Sequence, residues 1–261
     1  MLELDQDLPA GALLDSARAE FRATLATSSV LWFEGVEDAF QIDPKTSAVE
    51  AWNSTDKSRG AFPTEPNEGN GLLAEAGDII GLQCKPTKHC GLVASNITSN
   101  ASRFTMAVIY LPPETGGART LLTVNTGYNG GPSDEANYLF LSDGADEFTV
   151  KDTTGAVEIT APVTSKPNAP RMAIVTLSGH QLSLAENLNA PMTVQGTDPG
   201  MAAGADLFIG CRSQRKGLQK TLGGAIILDV IFWPDHALLA PRTEDELAHY
   251  TALKRYFLWG Y

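Results

Sequence analysis

Hydrophobic residues near the start of the chain recur with the period of a helix. Leu14, Ala17, Phe21 and Leu25 are spaced by three, four and four positions, with charged residues between them. This spacing predicts an amphipathic helix over residues 8–27. Its apolar stripe is narrow, as in a helix-to-helix seam. Two interpretations follow: a helix that lies on its own domain, or a segment (residues 1–28) that mediates oligomerisation or anchoring in a larger assembly.

After residue 28 the hydrophobic period changes to two, which is typical of strands. A first strand is predicted at residues 30–33, and a long loop-like stretch rich in glycine and proline follows at 43–91. Further strands are predicted at residues 103–110, 120–124, 137–141, 147–150, 157–160, 172–177, 181–184, 206–209 and 224–233. Many short strands separated by turn residues predict an all-β, two-sheet antiparallel sandwich over residues 29–261. Asp143-Gly144 and Ser178-Gly179 are predicted hairpin turns.

A second helix is predicted at the end of the chain. Thr243 stands three positions before Glu246 and follows Pro241, which is the pattern of a capping box. The predicted apolar face of this helix consists of Leu247, Tyr250, Leu253 and Phe257.

Composition and charge narrow the classes of function. The chain is 43% hydrophobic and 19% charged, with a formal net charge of -12. A phosphate backbone or an anionic membrane surface would repel such a chain, so we expect no nucleic-acid partner. No apolar run approaches the roughly 18 residues of a membrane-spanning helix, and we expect no membrane insertion. The N-terminus shows no secretory signal, which predicts assembly in the cytoplasm and, for a function outside the cell, release with a virion-like particle.

The three cysteines cannot all pair with one another. Cys84 and Cys90 lie six positions apart and could form a local disulfide, while Cys211 is remote. Free thiols are the expectation for a chain without a signal sequence. Cys84, His89 and Cys90 offer three metal ligands, but their spacing is not that of a common zinc site and a fourth ligand is missing. We therefore predict no bound metal here.

The order of motifs in the last third of the chain resembles a known superfamily. A hairpin spans residues 173–184, a strand ending in Ile209-Gly210 comes next, and an apolar strand containing Asp229 runs to Trp233. A closing helix carries tyrosines. This order resembles the concanavalin A-like (laminin-G-like) jelly-roll lectins and glucanases over residues 29–258. A weaker resemblance is to the head-spike or fibre proteins of phage-like gene transfer agents.

The resemblance implies a jelly roll, but the superfamily includes lectins, hydrolases, lyases and adhesion modules, so function must be argued from the site. Hydrolases of this fold commonly carry Glu-x-Asp-x-x-Glu on one strand, and that pattern is absent. Glu34, Glu37 and Asp38 have the wrong spacing to share one strand face. Lyases of this fold use Arg, a Gln or Asn beside His, and Tyr on neighbouring strands, and His180-Gln181 matches that pattern only faintly. The expectation is therefore a protein that is not an enzyme.

A calcium ion is the one cofactor that the resemblance leaves open. Asp143 and Asp146 lie in a predicted turn and could help to hold calcium, which many relatives bind. A plain hairpin turn explains the same residues more simply, so no cofactor is predicted.

Two loops offer the mixture of groups that binds carbohydrate: an aromatic face for a sugar ring, and amide or guanidinium groups for its hydroxyls. One loop carries Tyr128 and Asn129. The other collects cations on an acidic chain, which favours an anionic polysaccharide. Loops at one end of a jelly roll converge. The predicted glycan-binding residues are Tyr128, Asn129, Arg212, Gln214 and Arg215.

The leading functional hypothesis is a non-enzymatic module that binds cell-surface polysaccharide, as a receptor-binding spike or fibre of a phage-like particle. It would form a homo-oligomer, a trimer, on a particle base protein. One alternative is a polysaccharide lyase or glycoside hydrolase of the same fold. Another is a structural decoration subunit that binds protein.

Overall fold

The protein is mainly β, with two antiparallel sheets packed as a sandwich and a helix near each end of the chain. The structure is a computed structural model and describes residues 12–26, 28–69, 71–76, 79–126, 137–166, 168–213 and 220–261. Within these residues one sheet has eight strands and the other nine. The predicted fold class is confirmed.

The elements follow one another in this order: α1 Ala12–Leu25, β1 Leu31–Glu34, a short 3-10 helix Glu37–Ala39, β2 Phe40–Ile42, β3 Val49–Asn53, β4 Gly60–Pro63, β5 Leu72–Ala76, β6 Ile79–Cys84, β7 Leu92–Thr98, β8 Arg103–Leu111, β9 Arg119–Thr126, β10 Asn137–Asp143, β11 Glu147–Asp152, β12 Glu158–Pro162, β13 Arg171–Ser178, β14 Gln181–Glu186, β15 Met192–Gln195, β16 Ala205–Ile209, β17 Ala225–Pro234 and α2 Glu244–Gly260.

The eight-stranded sheet has the order β15-β14-β13-β8-β17-β6-β5, with β1 also paired to β17. The nine-stranded sheet has the order β12-β11-β10-β9-β16-β7-β4-β3-β2. Both sheets also contain neighbours that are distant in sequence, such as β8-β17 and β9-β16, so the sandwich depends on long-range pairing as well as on hairpins. The two predicted hairpins are present, as β10-β11 and β13-β14.

The main core lies between the two sheets. Met106 and Val108 of the eight-stranded sheet meet Val124 and Leu139 of the nine-stranded sheet in one buried cluster. Successive side chains of a strand point to opposite faces. The residues between those of the core therefore face outward, and they determine what covers each sheet.

A second core covers the outer face of the eight-stranded sheet. Val230 and Phe232 of β17 point into the main core, whereas Ile231 and Trp233 pack beneath the two helices. All four side chains are fully buried. Strand β17 is thus buried on both faces, as the sequence predicted for residues 224–233.

Helix α1 packs on the chain's own domain. Phe21 is fully buried, with its ring centroid 4.9 Å from that of Trp32 and 5.0 Å from that of Tyr256. Ala17 and Leu25 are also buried. This matches the interpretation of a helix lying on its own domain. These three side chains are therefore not available as an oligomer seam, and α1 shares its core with the rest of the chain.

The side chain of Leu14 lies outside the described residues. The proposed trimer and its base protein stay predictions that these contacts do not support.

The loop-like interpretation of residues 43–91 is wrong, because this stretch contains strands β3 to β6. Val49 and Trp52 of β3 are fully buried in the main core. The strands are short, and glycine or proline stands at the ends of β4, as Gly60 and Pro63, and just before β5, as Gly71. Such residues concentrate at strand ends and edges, and they hid the period-two pattern.

Helix α2 begins as predicted and buries Leu253 and Phe257 of its predicted apolar face, but not Leu247. The Thr243 hydroxyl accepts a hydrogen bond from the Glu246 backbone N–H at 3.2 Å. Leu247, however, is 53% exposed, while Glu246 and His249 are buried. The Glu246 carboxylate accepts bonds from the backbone N–H groups of Ala237 and Arg242, both at 2.7 Å. These polar contacts with the preceding loop rotate the predicted apolar face partly outward.

Asp229 is a buried carboxylate in the helix-covered core. Its oxygens accept bonds from Trp32 Nε1 at 2.9 Å, the Tyr256 hydroxyl at 2.9 Å and the Tyr261 hydroxyl at 2.5 Å. Burial raises the pKa of Asp229 from its usual 3.8 to about 6, against the effect of these hydrogen bonds. The side chain therefore joins β17 to β1 and to the C-terminal end of α2, at an electrostatic cost.

Neither helix of the described residues is long and apolar enough to cross a membrane.

Phe21→Ala should destabilise the fold without changing its oligomeric state. Removing a fully buried phenylalanine costs about 3–5 kcal/mol through lost burial and the cavity left behind. Urea denaturation measures this loss, and light scattering measures the mass. Leu258→Ala is the control, because Leu258 is 54% exposed and should change stability by under about 0.5 kcal/mol. A smaller mass with unchanged stability would instead support an oligomer seam.

The raised pKa of Asp229 should make the protein less stable as pH rises from about 4 to about 7. Between 3.8 and about 6 the folded state holds a proton that the unfolded state releases. The free energy of unfolding therefore falls as pH rises through this window, by about 3 kcal/mol at 1.36 kcal/mol for each pH unit. Asp229→Asn should remove this dependence in urea titrations. Asp146→Asn, at an exposed site, should keep it.

Candidate functional site

A continuous row of side chains crosses the outer face of the nine-stranded sheet. Leu139, Leu122 and Leu207 point into the main core, so their strand neighbours point outward. Strand register aligns these neighbours directly across five strand pairs. The aligned row consists of Lys151, Phe140, Thr123, Phe208, Val93 and Phe62.

A second, polar row runs beside the first. Tyr138, Asn125 and Asp206 are register partners on β10, β9 and β16. Asn125 is buried, and its Oδ1 has no hydrogen-bond partner among the described residues. Burial raises the pKa of Asp206, although its carboxylate accepts a bond from the Asn96 backbone N–H at 2.8 Å. Polar groups thus stand in partly desolvated positions next to the aromatic row.

Arg212 lies over both rows. Its guanidinium carbon is 3.6 Å from the centroid of the Phe140 ring and 5.9 Å from that of Tyr138. Burial lowers the pKa of the Arg212 guanidinium, and Tyr138 opposes this effect. Nε of Arg212 is buried without a hydrogen-bond partner in the described part of the chain. A cation so close to an aromatic face is worth about 0.5–2 kcal/mol, which holds the side chain in place.

A glycine turns the chain towards this position after β16. Gly210 has a φ of 72° and donates its N–H to the Leu121 carbonyl at 2.7 Å. A side chain at Gly210 would place its Cβ 2.5 Å from Cys84 Sγ. Only glycine combines this left-handed turn with such a close approach.

We call Arg212, Tyr138, Phe140, Asn125 and Asp206 together the Arg212 face. It combines aromatic rings, a planar cation, an amide and a carboxylate on a rigid sheet. Phe140 is buried beneath Arg212, whereas the half-buried Tyr138 ring can stack on a sugar ring, and the polar groups can bond hydroxyl or carboxylate groups. The arrangement suits a polar ligand with apolar ring faces.

Arg212 is the predicted site residue that the structure places on this face. Tyr128, Asn129, Gln214 and Arg215 lie outside the described residues. Tyr128 and Asn129 follow the end of β9 at Thr126, and Gln214 and Arg215 follow the end of β16 at Ile209. Ile209 pairs with Leu122, which lies four residues before Thr126 on β9. The two ends are therefore roughly 13 Å apart along β9, at about 3.4 Å for each residue. A shared site for all five residues stays a prediction.

The sequence analysis missed Tyr138 and Phe140. Their signal was present in residues 137–141, where two aromatic residues alternate with two leucines. Alternation places the leucines in the core and the aromatic residues outside. When both faces carry hydrophobic side chains, however, the pattern does not tell which set is inside.

Solved structures resemble this fold, although no protein-family model and no curated protein sequence matches the chain. Trypanosoma rangeli sialidase aligns with a TM-score of 0.56 and 12% identity, over 93% of this chain and 38% of that chain. An arabinofuranosidase complexed with arabinofuranosyl-alpha-1,2-xylobiose aligns with a TM-score of 0.55 and 8% identity, over 80% of this chain and 51% of that chain. This protein has the concanavalin A-like lectin/glucanase jelly-roll fold. The jelly-roll fold that the resemblance implied is confirmed.

The jelly roll spans well under half of the sialidase chain and about half of the arabinofuranosidase chain. Such distant likeness establishes the fold alone. The fold itself is one seen in lectins and in glycoside hydrolases.

The jelly roll also has a cleft beside α1, away from the Arg212 face. It has a volume of about 490 Å³, and Glu34, Asp38 and Asp56 are among its lining residues. Glu34 and Asp38 thus reach one cleft despite their unfavourable spacing in sequence. Both oxygens of Glu34 are engaged, one at 2.9 Å from Arg18 Nε and the other at 2.5 Å from Arg22 Nη2. This pairing neutralises the buried carboxylate and ties α1 to β1.

The suggested calcium position at Asp143 is occupied by a cation of the chain itself. The Asp143 carboxylate accepts bonds from the Tyr110 hydroxyl at 2.6 Å, Arg171 Nη1 at 2.7 Å and the Ala145 N–H at 2.8 Å. Asp143 is fully buried and Arg171 nearly so. The pair explains this acidic residue as part of the jelly-roll core.

The three cysteines are buried free thiols. Cys90 Sγ accepts a hydrogen bond from the Lys85 N–H at 3.0 Å. The expectation of free thiols therefore agrees with the structure.

Arg171→Met should destabilise the jelly roll strongly. The change leaves Asp143 buried without its ion-pair partner, which typically costs about 3–5 kcal/mol. Lys151→Met is the control, because the Lys151–Glu158 pair at 2.8 Å is exposed and worth under about 1 kcal/mol. Equal urea midpoints for the two variants would show that the buried Asp143–Arg171 pair stabilises the fold no more than the exposed Lys151–Glu158 pair does.

Proposed function

We propose that this jelly roll is a non-enzymatic glycan-binding module and that the Arg212 face is its binding surface. The observation that carries the proposal is the Arg212 guanidinium, held 3.6 Å from the Phe140 ring centroid beside Tyr138. It is a fixed, partly desolvated cation with aromatic neighbours. A pre-organised site of this kind binds a ligand without first ordering its side chains.

The chemistry of the face favours an anionic glycan. A planar guanidinium can donate two parallel hydrogen bonds to a carboxylate or sulfate. Tyr138 is half-buried, so part of its side chain is accessible to a ligand.

Display on a particle is a finer hypothesis that depends on the sequence resemblance alone. A spike or fibre that binds host polysaccharide would use such a module without catalysis. The same hypothesis includes a trimer, a base protein and assembly in the cytoplasm before release. Because Ala17, Phe21 and Leu25 pack within the chain, trimer contacts would have to involve other surfaces.

A glycoside hydrolase or lyase is the second candidate function. The observation that favours it is the cleft shared by Glu34, Asp38 and Asp56. Two free carboxylates about 5–10 Å apart are needed for glycoside hydrolysis. The double arginine pairing of Glu34 makes it a poor member of such a couple. For hydrolysis, Glu34 would first have to leave its two arginines, whereas glycan binding uses Arg212 where it already stands.

Arg212→Gln should weaken binding of an anionic glycan by about 10- to 100-fold, the equivalent of about 1.5–3 kcal/mol for a charged hydrogen bond. The loss should shrink as salt rises, because screening weakens the charge interaction in the wild type. A glycan array identifies the ligand, and calorimetry on the best hit measures Kd. Tyr138→Ala should cost about 1 kcal/mol through lost stacking.

Arg255→Gln is the matched control, since Arg255 pairs with Glu20 in the helix layer on the opposite side of the sandwich. It should bind as the wild type does. Equal affinity of wild type and Arg212→Gln would refute the proposed face. New reducing ends or unsaturated sugars released from the same glycan would favour the enzyme hypothesis instead.

A further inference from the structure

Two histidines and an aspartate come together where β17 leads into α2. Among the described residues, the ligand atoms of His236, Asp245 and His249 all lie within 4.8 Å of one another. His236 follows β17, while Asp245 and His249 are one turn apart on α2. Residues at positions i and i+4 share a helix face, so α2 itself places Asp245 beside His249. The fold then brings His236 to this pair.

The hydrogen bonding of His236 leaves a lone pair directed at this cluster. Nδ1 of His236 lies 2.6 Å from the Pro234 carbonyl oxygen. A carbonyl only accepts, so Nδ1 carries the proton and Nε2 of the neutral ring is an acceptor. Nε2 lies 3.2 Å from Asp245 Oδ2. In the neutral ring two acceptors therefore face each other across this gap, and a positive charge between them, either a metal ion or a second proton on His236, removes the mismatch.

His249 has the same kind of mismatch. It is fully buried, its Nδ1 has no partner in the described part of the chain, and its Nε2 is 3.7 Å from Asp245 Oδ1. Nε2 is also 3.2 Å from the Thr24 carbonyl oxygen. Whichever nitrogen carries the proton, one acceptor of this buried ring stays unsatisfied, at a cost in free energy.

We propose that His236, Asp245 and His249 form a binding site for a divalent transition-metal ion of the zinc type. Two imidazole nitrogens and one carboxylate oxygen are a typical donor set for such an ion, with water as the fourth ligand. The carbonyl of Pro234 would orient His236 from behind, as hydrogen-bond partners of metal-binding histidines commonly do.

The cluster is arranged so that it can close on an ion. Donor atoms around a tetrahedral zinc stand about 3.4 Å apart, given bonds of about 2.0–2.1 Å. Asp245 has a side chain that is 58% exposed, so it can move to close the remaining gap, whereas His249 is held by its burial. The exposed side of Asp245 leaves room for a water ligand.

Metal binding would change the contacts between the two helices and the end of β17. The bound ion would take Nε2 of His249 away from the Thr24 carbonyl at the end of α1. It would also tie the start of α2 to the end of β17. We expect the metal to raise the melting temperature by about 5 °C at a hundredfold excess over Kd.

The test is a titration of the full chain with Co²⁺, a visible reporter for tetrahedral zinc sites. We expect one Co²⁺ for each chain, a tetrahedral absorption spectrum without thiolate charge-transfer bands, and displacement by Zn²⁺. Asp245→Asn and His236→Gln should each weaken binding by at least about tenfold, since each removes a ligand. Circular dichroism confirms that both variants are folded.

Two matched controls separate the site from general charge effects. Glu244→Gln removes the same charge from the same helix turn, and His180→Gln removes an exposed histidine elsewhere; both should bind Co²⁺ as the wild type does. The proposal is overturned if the wild type binds no Co²⁺, or if Asp245→Asn and His236→Gln bind it equally well. A protonated His236 paired with Asp245 would then account for the cluster.

Discussion

The structure depends on an eight-stranded sheet that is apolar on both faces. Strand β17 is the clearest case, since Val230 and Phe232 point into one core and Ile231 and Trp233 into another. A sheet with two apolar faces must be covered twice, because burying apolar area is the main favourable term in folding. The nine-stranded sheet covers one face. Helices α1 and α2 cover the other.

The helix layer is attached by polar groups as well as by packing. Asp229 receives hydrogen bonds from Trp32, Tyr256 and Tyr261, so one carboxylate links β1, β17 and α2. Glu34 binds two arginines of α1. Removing one partner of a buried charge leaves the other uncompensated, so such contacts are costly to break. They explain how helix α1, whose apolar stripe is narrow, takes one defined position on the broad apolar face of the sheet.

Covering one sheet with helices leaves the chemistry of the molecule divided between two sides. The Arg212 face lies on the outer side of the nine-stranded sheet, where the aligned row begins with Lys151 and ends with Phe62, which is 55% exposed. The histidine cluster lies in the helix layer on the opposite side. A ligand on one side would not obstruct the other, so the proposed glycan surface and the proposed metal site can be studied separately.

The sequence by itself determined the fold class, the two hairpins, the capped start of α2 and the buried strand at residues 224–233. These features follow from local rules: side-chain alternation along a strand, turn residues, and hydrogen bonds at helix ends. Only the tertiary structure decided the partner of each face. The stripe of α1 is compatible with another chain or with its own sheet until Trp32 and Tyr256 are seen around Phe21. Likewise, Arg212 reaches Phe140, and His236 reaches Asp245, through strand pairing and helix packing that no local pattern records.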